Sequence, residues 1–207
     1  RKYVTFDEFI DVEASLSSLL LALKSVEQQP LLWKQVMLST HSALQGSCAC
    51  ILTHTDGSGA LDQASEKSLD RYHRNQTEIT IAGHLGTEAP EEFSQPQLRM
   101  QSLPNLLRRL PHDLAVDIPV SFEDCNSLEI QDFWRLHNWR NDFIHFQIVR
   151  WSIEVAGLPG IVQSALQLIE KMVFSQDYHR RNRFDDGNTS ALLRMCMCDC
   201  DKLEKRS

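Results

Sequence analysis

Trp139-Arg140-Asn141-Asp142-Phe143-Ile144-His145 is the stretch of this sequence whose residue types could do chemistry together. On a helix each residue advances about 100°. With Arg140 taken as zero, His137 falls near 60°, Asn141 near 100° and His145 near 140°. Arg135 and Asp142 fall outside that sector. The rise from Arg140 to His145 is roughly 7.5 Å, a span a long Arg side chain can bridge. One face thus offers a fixed cation, an amide and titratable imidazoles. Such a set suits cleavage of RNA without a metal. The ribose 2′-hydroxyl attacks the adjacent phosphate, His145 takes or gives the proton, and Arg140 pairs phosphate oxygens and stabilises negative charge. Asn141 would orient the imidazole or the phosphate, and His137 would contact substrate. A buried Arg140–carboxylate pair with His145 closed off from solvent would instead mark a purely structural motif.

Arg140-Asn141-Asp142-Phe143-Ile144-His145 resembles the Arg-Asn-x-x-x-His signature of the HEPN superfamily. An Arg followed five residues later by His is common by chance. Asn directly after the Arg, on a late and aromatic helix, is what narrows it. The resemblance implies an all-α bundle of four to six helices and a homodimer in which two motifs face one another. It also implies a metal-independent endoribonuclease of toxin or phage-defence type, with RNA as substrate and an antitoxin protein as partner. Carried over residue by residue, Arg140 contacts phosphate, His145 is the acid/base and Asn141 supports both. The alternative within the same resemblance is a non-catalytic dimerisation or nucleotide-binding module. No cofactor and no metal are expected.

The elements that must position these residues read as helices. Phe9, Val12, Leu16, Leu19, Leu20 and Leu23 recur at helical spacing in a first helix from Phe6 to Glu27, which ends at Pro30. A second runs from about Leu32 to Leu52, and Thr55-Asp-Gly-Ser-Gly59 breaks the chain as a tight turn. Leu61–Tyr72 reads as a short helix. Residues 74–97 read as a long connection with a brief strand at Ile79–Ala82. Leu98–Leu110 is a modest helix containing Pro104. Glu129–Val155 is the strongest helix, carrying Phe133, Trp134, Trp139, Phe143, Phe146 and Trp151, so it must be central or buried against a second subunit. A last helix spans Ile161–Gln176. The domain is therefore expected over 1–176, with 177–207 as a polar and then Cys/Met-rich tail.

Composition limits the alternatives. The 207 residues are 42% hydrophobic, enough for a core, and carry a formal net charge of -7. That charge argues against a broadly basic nucleic-acid surface but leaves room for a local cation. No apolar run is long enough to span a bilayer. The first residues do not read as a secretory signal, so six cysteines are expected as reduced thiols in a cytoplasmic protein. Asn75-Gln-Thr77 and Asn188-Thr-Ser190 then match the glycosylation pattern by coincidence. Cys196, Cys198 and Cys200, with Cys48 and Cys50, have spacings of one residue that make zinc chelation awkward. His41 and His54 suggest a metal site only loosely, since their spacing cannot form a one-turn chelate. The run His179–Arg183 reads as a solvated basic patch.

Overall fold

The computed structural model describes residues 3, 7–116, 118–119, 124, 127–145, 152–181 and 187–206. Among them are eight α-helices, where four to six were expected. They are α1 (Glu8–Ser25), α2 (Trp33–Leu52), α3 (Gln63–Leu85), α4 (Leu103–Arg109), α5 (Leu128–His145), α6 (Leu158–Val173), α7 (Gln176–Arg181) and α8 (Asn188–Glu204). Helices are the regular elements of the described residues, beside one isolated antiparallel bridge between Leu61 and Met100. The chain divides into two compact bodies, one of Arg1–Ile51 with Leu103–Ser207 and one of Leu52–Ser102.

In the larger body, α1 begins where Asp7 accepts a hydrogen bond from the Ile10 amide at 2.8 Å, satisfying one of the orphan donors of the first turn. Its stripe of Val12, Leu16, Leu19, Leu20 and Leu23 is buried. A 3-10 turn at Pro30–Leu32 leads into α2. α2 is buried around most of its circumference, including Val36, Met37, Ala43, Leu44, Cys48 and Ile51. Two of its buried hydroxyls are satisfied locally, Thr40 donating to the Val36 carbonyl at 2.7 Å and Ser47 to the Ala43 carbonyl at 2.8 Å. Gly46 sits where α1 comes close, and a Cβ there would lie 2.9 Å from Val12 Cγ2. α6 opens with Pro159 in its first turn, where a missing N–H costs nothing, and buries Ile161, Val162, Leu166, Ile169 and Met172.

The stretch expected as a tail contains the helix α8. α8 packs against both α1 and α6 and buries Leu193, Cys196, Cys200 and Leu203 at three- and four-residue spacing. Cys196 Sγ donates to the Leu16 carbonyl at 3.5 Å and Cys200 Sγ to the Pro159 carbonyl at 3.1 Å. Its far end is tied to the loop after α1 by Arg206 and Glu27 at 2.8 Å. These thiols are core residues, while Cys198 points outward and is exposed. The basic run at His179–Arg183 falls partly outside the described residues. So does the stretch 146–151 of the long helix expected over Glu129–Val155, with Phe146 and Trp151. Within what is described, α5 ends at His145, and Ser152–Val155, expected to be its last residues, are not helical.

The smaller body corrects the expected strand at Ile79–Ala82 and the first half of the connection expected at 74–97, while residues 87–97 carry no regular structure. α3 runs without a break through Leu85. Asp62 caps its start, accepting from the Ser65 amide at 2.7 Å, and Gly86 closes it at φ 65°, a left-handed conformation that favours glycine. The helix buries few side chains, so its hydrophobic periodicity is faint. Asn75 is committed inside this body, donating to the Glu91 carbonyl at 2.9 Å and accepting from the Phe93 amide at 3.0 Å.

Candidate functional site

α5 is anchored by Phe133 and Leu136, 2% and 0% exposed. Ser164 of α6 fastens its outer side, donating to Asp132 at 3.1 Å. Further along the helix, His137 reaches His41 of α2, and Arg140 and Ile144 border a cleft shared with α2. There a polar stripe interrupts an otherwise apolar helix.

Four side chains form a connected line across the α2–α5 contact. Arg140 Nη1 donates to Asn141 Oδ1 at 3.0 Å. Asn141 Nδ2 lies 3.3 Å from His137 Nε2. His137 Nδ1 lies 3.2 Å from His41 Nε2. The two imidazoles are near-parallel, with planes 25° apart and centroids at 5.5 Å, and Trp134 meets His137 edge-on. His41 is 2% exposed. Burial first, then the nearby His137 and Arg140, drives its pKa down from 6.5 to about 3. His137 is lowered too, by burial and then by Arg140. Both rings are therefore neutral at pH 7.

Beside this line opens a cleft of about 400 Å³. Ala14, Ser15 and Ser18 of α1 form one wall, and Gln35, Ser39, His41, Ser42 and Gln45 of α2 form the floor. Arg140 and Ile144 of α5 close the other side. Gln35 Nε2 donates to both Ser18 and Ser39 at 2.9 Å, presetting part of the lining. No carboxylate among the described residues lines the cleft. Among the described residues none pairs with Arg140 either, while Arg135, assigned by helical phase to a different face, pairs with Asp132 at 3.6 Å. A cation facing hydroxyls and amides, without a resident counter-ion, suits a small anion carrying one phosphoryl group.

The structure thus brings Arg140, Asn141 and His137 together and places His145 elsewhere. His145 is exposed in the last turn of α5 and is not one of the residues lining the cleft. The buried Arg140–carboxylate pair that would mark a purely structural motif is missing among the described residues. His41 is the residue that sequence reasoning passed over, because it was weighed only as a metal ligand. Among the described residues no three or more His, Cys, Asp or Glu side chains are grouped to hold an ion. The available signal was the recurrence of Gln35, Ser39, Ser42 and Gln45 at helical spacing on an apolar helix.

No family model, curated protein or solved structure matches this chain. What the fold defines is an all-helical protein, with no described helix long and apolar enough to cross a membrane.

Proposed function

We propose that the chain is a HEPN-type, metal-independent endoribonuclease working as a homodimer, with Arg140 gripping the scissile phosphate. The observation that carries this reading is Arg140 itself. It borders an open polar cleft, its guanidinium is steadied by Asn141, and no described carboxylate neutralises it. The reaction moves two protons. The 2′-hydroxyl loses one as its oxygen bonds phosphorus, the P–O5′ bond breaks, and the departing 5′-oxygen gains the other. The products are a 2′,3′-cyclic phosphate and a free 5′-hydroxyl. An exposed His145 on each copy, brought together by dimerisation, supplies the base and the acid. The toxin or phage-defence setting and an antitoxin partner rest on the resemblance alone.

The test is cleavage of labelled single-stranded RNA in excess chelator. Wild-type protein is expected to yield cyclic-phosphate ends. His145→Ala should lower the rate by about 100-fold or more, and Arg140→Ala by a similar factor. Equal cleavage by wild type and His145→Ala would remove His145 from the reaction. A second reading, a non-catalytic nucleotide-binding module, is favoured by the position of His145 outside the cleft. Its signature is Arg140-dependent RNA binding with no cleavage by wild-type protein.

A further inference from the structure

The line from Arg140 to His41 has a direction, and the cation sets it. A guanidinium can only donate hydrogen bonds. Arg140 Nη1 therefore fixes which end of the Asn141 amide faces it, namely Oδ1 at 3.0 Å. Rotating that amide by 180° would set an NH2 group against the guanidinium. With Oδ1 committed, Nδ2 must face His137, and it does so at 3.3 Å from Nε2. Since Nδ2 only donates, His137 Nε2 has to accept and must be bare. A neutral imidazole with a bare Nε2 carries its proton on Nδ1. That proton points along the 3.2 Å contact to His41 Nε2, which must also be bare. Every hydrogen bond thus runs from the cation inward, ending on a buried acceptor.

We propose that His41 is a positioning residue for the phosphate-binding guanidinium, acting through a one-directional chain in which Arg140 donates to Asn141, Asn141 to His137 and His137 to His41. This rests on Arg140 being the phosphate-binding group. The chain holds one guanidinium nitrogen against α5 and leaves the remaining N–H groups for a ligand in the cleft. It tolerates no added proton. A protonated His137 would turn an N–H toward the Asn141 amide, and a protonated His41 would turn one toward His137 Nδ1. The depressed pKa values of both rings fit that requirement. After burial, His137 and Arg140 lower His41, and Arg140 lowers His137. Among the described residues the α1 wall presents Ala14, Ser15 and Ser18 to the cleft.

Two measurements test the chain. Nitrogen-15 NMR of the imidazoles in the full chain should find His137 protonated on Nδ1 alone. In Asn141→Asp, the carboxylate should draw that proton to Nε2. Finding it on Nε2 in the wild type would overturn the proposal. The second measurement is binding of a single-stranded RNA oligonucleotide with 2′-O-methyl riboses, which cannot be cleaved. His41→Leu, which removes the terminal acceptor, should weaken binding about tenfold. His41→Gln, whose amide oxygen still accepts, should stay within about threefold. Binding indifferent to Arg140→Ala would defeat the phosphate reading itself. Arg140-dependent binding that ignores His41→Leu in a folded variant would defeat the positioning role alone.

Discussion

His41 is almost completely removed from water, beside a second imidazole and a guanidinium, so adding a proton to it is opposed by both burial and charge. The stability consequence has a definite sign. In the unfolded chain His41 titrates at its ordinary value of 6.5, whereas folding holds it near 3. Above pH 6.5 both states are neutral there and the residue makes no pH-dependent contribution. Between those two values the unfolded chain takes up a proton that the folded chain refuses, so stability falls as the solution is acidified. At pH 5 the loss from His41 amounts to about 2 kcal/mol. Urea unfolding from pH 8 to 5 should show wild-type stability declining, and His41→Gln should remove about that much of the decline. Parallel pH curves for the two proteins would contradict the buried neutral state of His41. The same chemistry explains why neutral hydrogen-bonding residues, rather than further cations, line the cleft around Arg140.

At the scale of elements, α8 decides whether the larger body is complete. Leu193, Cys196, Cys200 and Leu203 pack into the space between α1 and α6. Burial has pushed the Cys196 and Cys200 thiols up to about 12, so they act as small apolar groups with a weak donor. The two leucines alone contribute about 3–6 kcal/mol, against a total for a typical domain of about 5–15 kcal/mol. Removing residues 188–207 should therefore abolish cooperative thermal unfolding, followed by circular dichroism at the helical band. A truncated protein that melts as the full chain does would make α8 dispensable. Sequence pattern located α1, α2, α5 and α6 because each carries a continuous apolar stripe. It missed α8 because cysteines stand where leucines would have signalled a core face. It missed the second half of α3 because that helix is held by Asp62 at one end and Gly86 at the other, with little apolar burial between. The site was legible to the same depth. Phase along one helix grouped His137, Arg140 and Asn141. The partner His41 is 96 residues away from His137, and local periodicity does not encode the register between two helices.

For the whole molecule, the electrostatic balance constrains how RNA could be held. The chain carries a formal net charge of -7, which repels a polyanion at long range, and Arg140 is the one arginine or lysine lining the cleft among the described residues. A protein that neutralises Z phosphates of a single strand loses affinity with salt at a logarithmic slope of about 0.7Z. One Arg140 contact predicts a slope near 0.7, and two copies gripping the same strand in a dimer predict about 1.4. Titration of the uncleavable oligonucleotide across a range of salt concentrations measures this directly. Arg140→Ala should take away most of the slope along with most of the affinity. A slope steeper than about 3, little changed in Arg140→Ala, would mean a broad basic surface elsewhere carries the binding. With so shallow a dependence, specificity has to come from short-range hydrogen bonds. Under the proposed reading Ser15 and Ser42 of the cleft would supply them, since neither hydroxyl is committed to a partner among the described residues. They would recognise groups flanking the phosphate, while Arg140, held by Asn141, His137 and His41, would set where the phosphate sits.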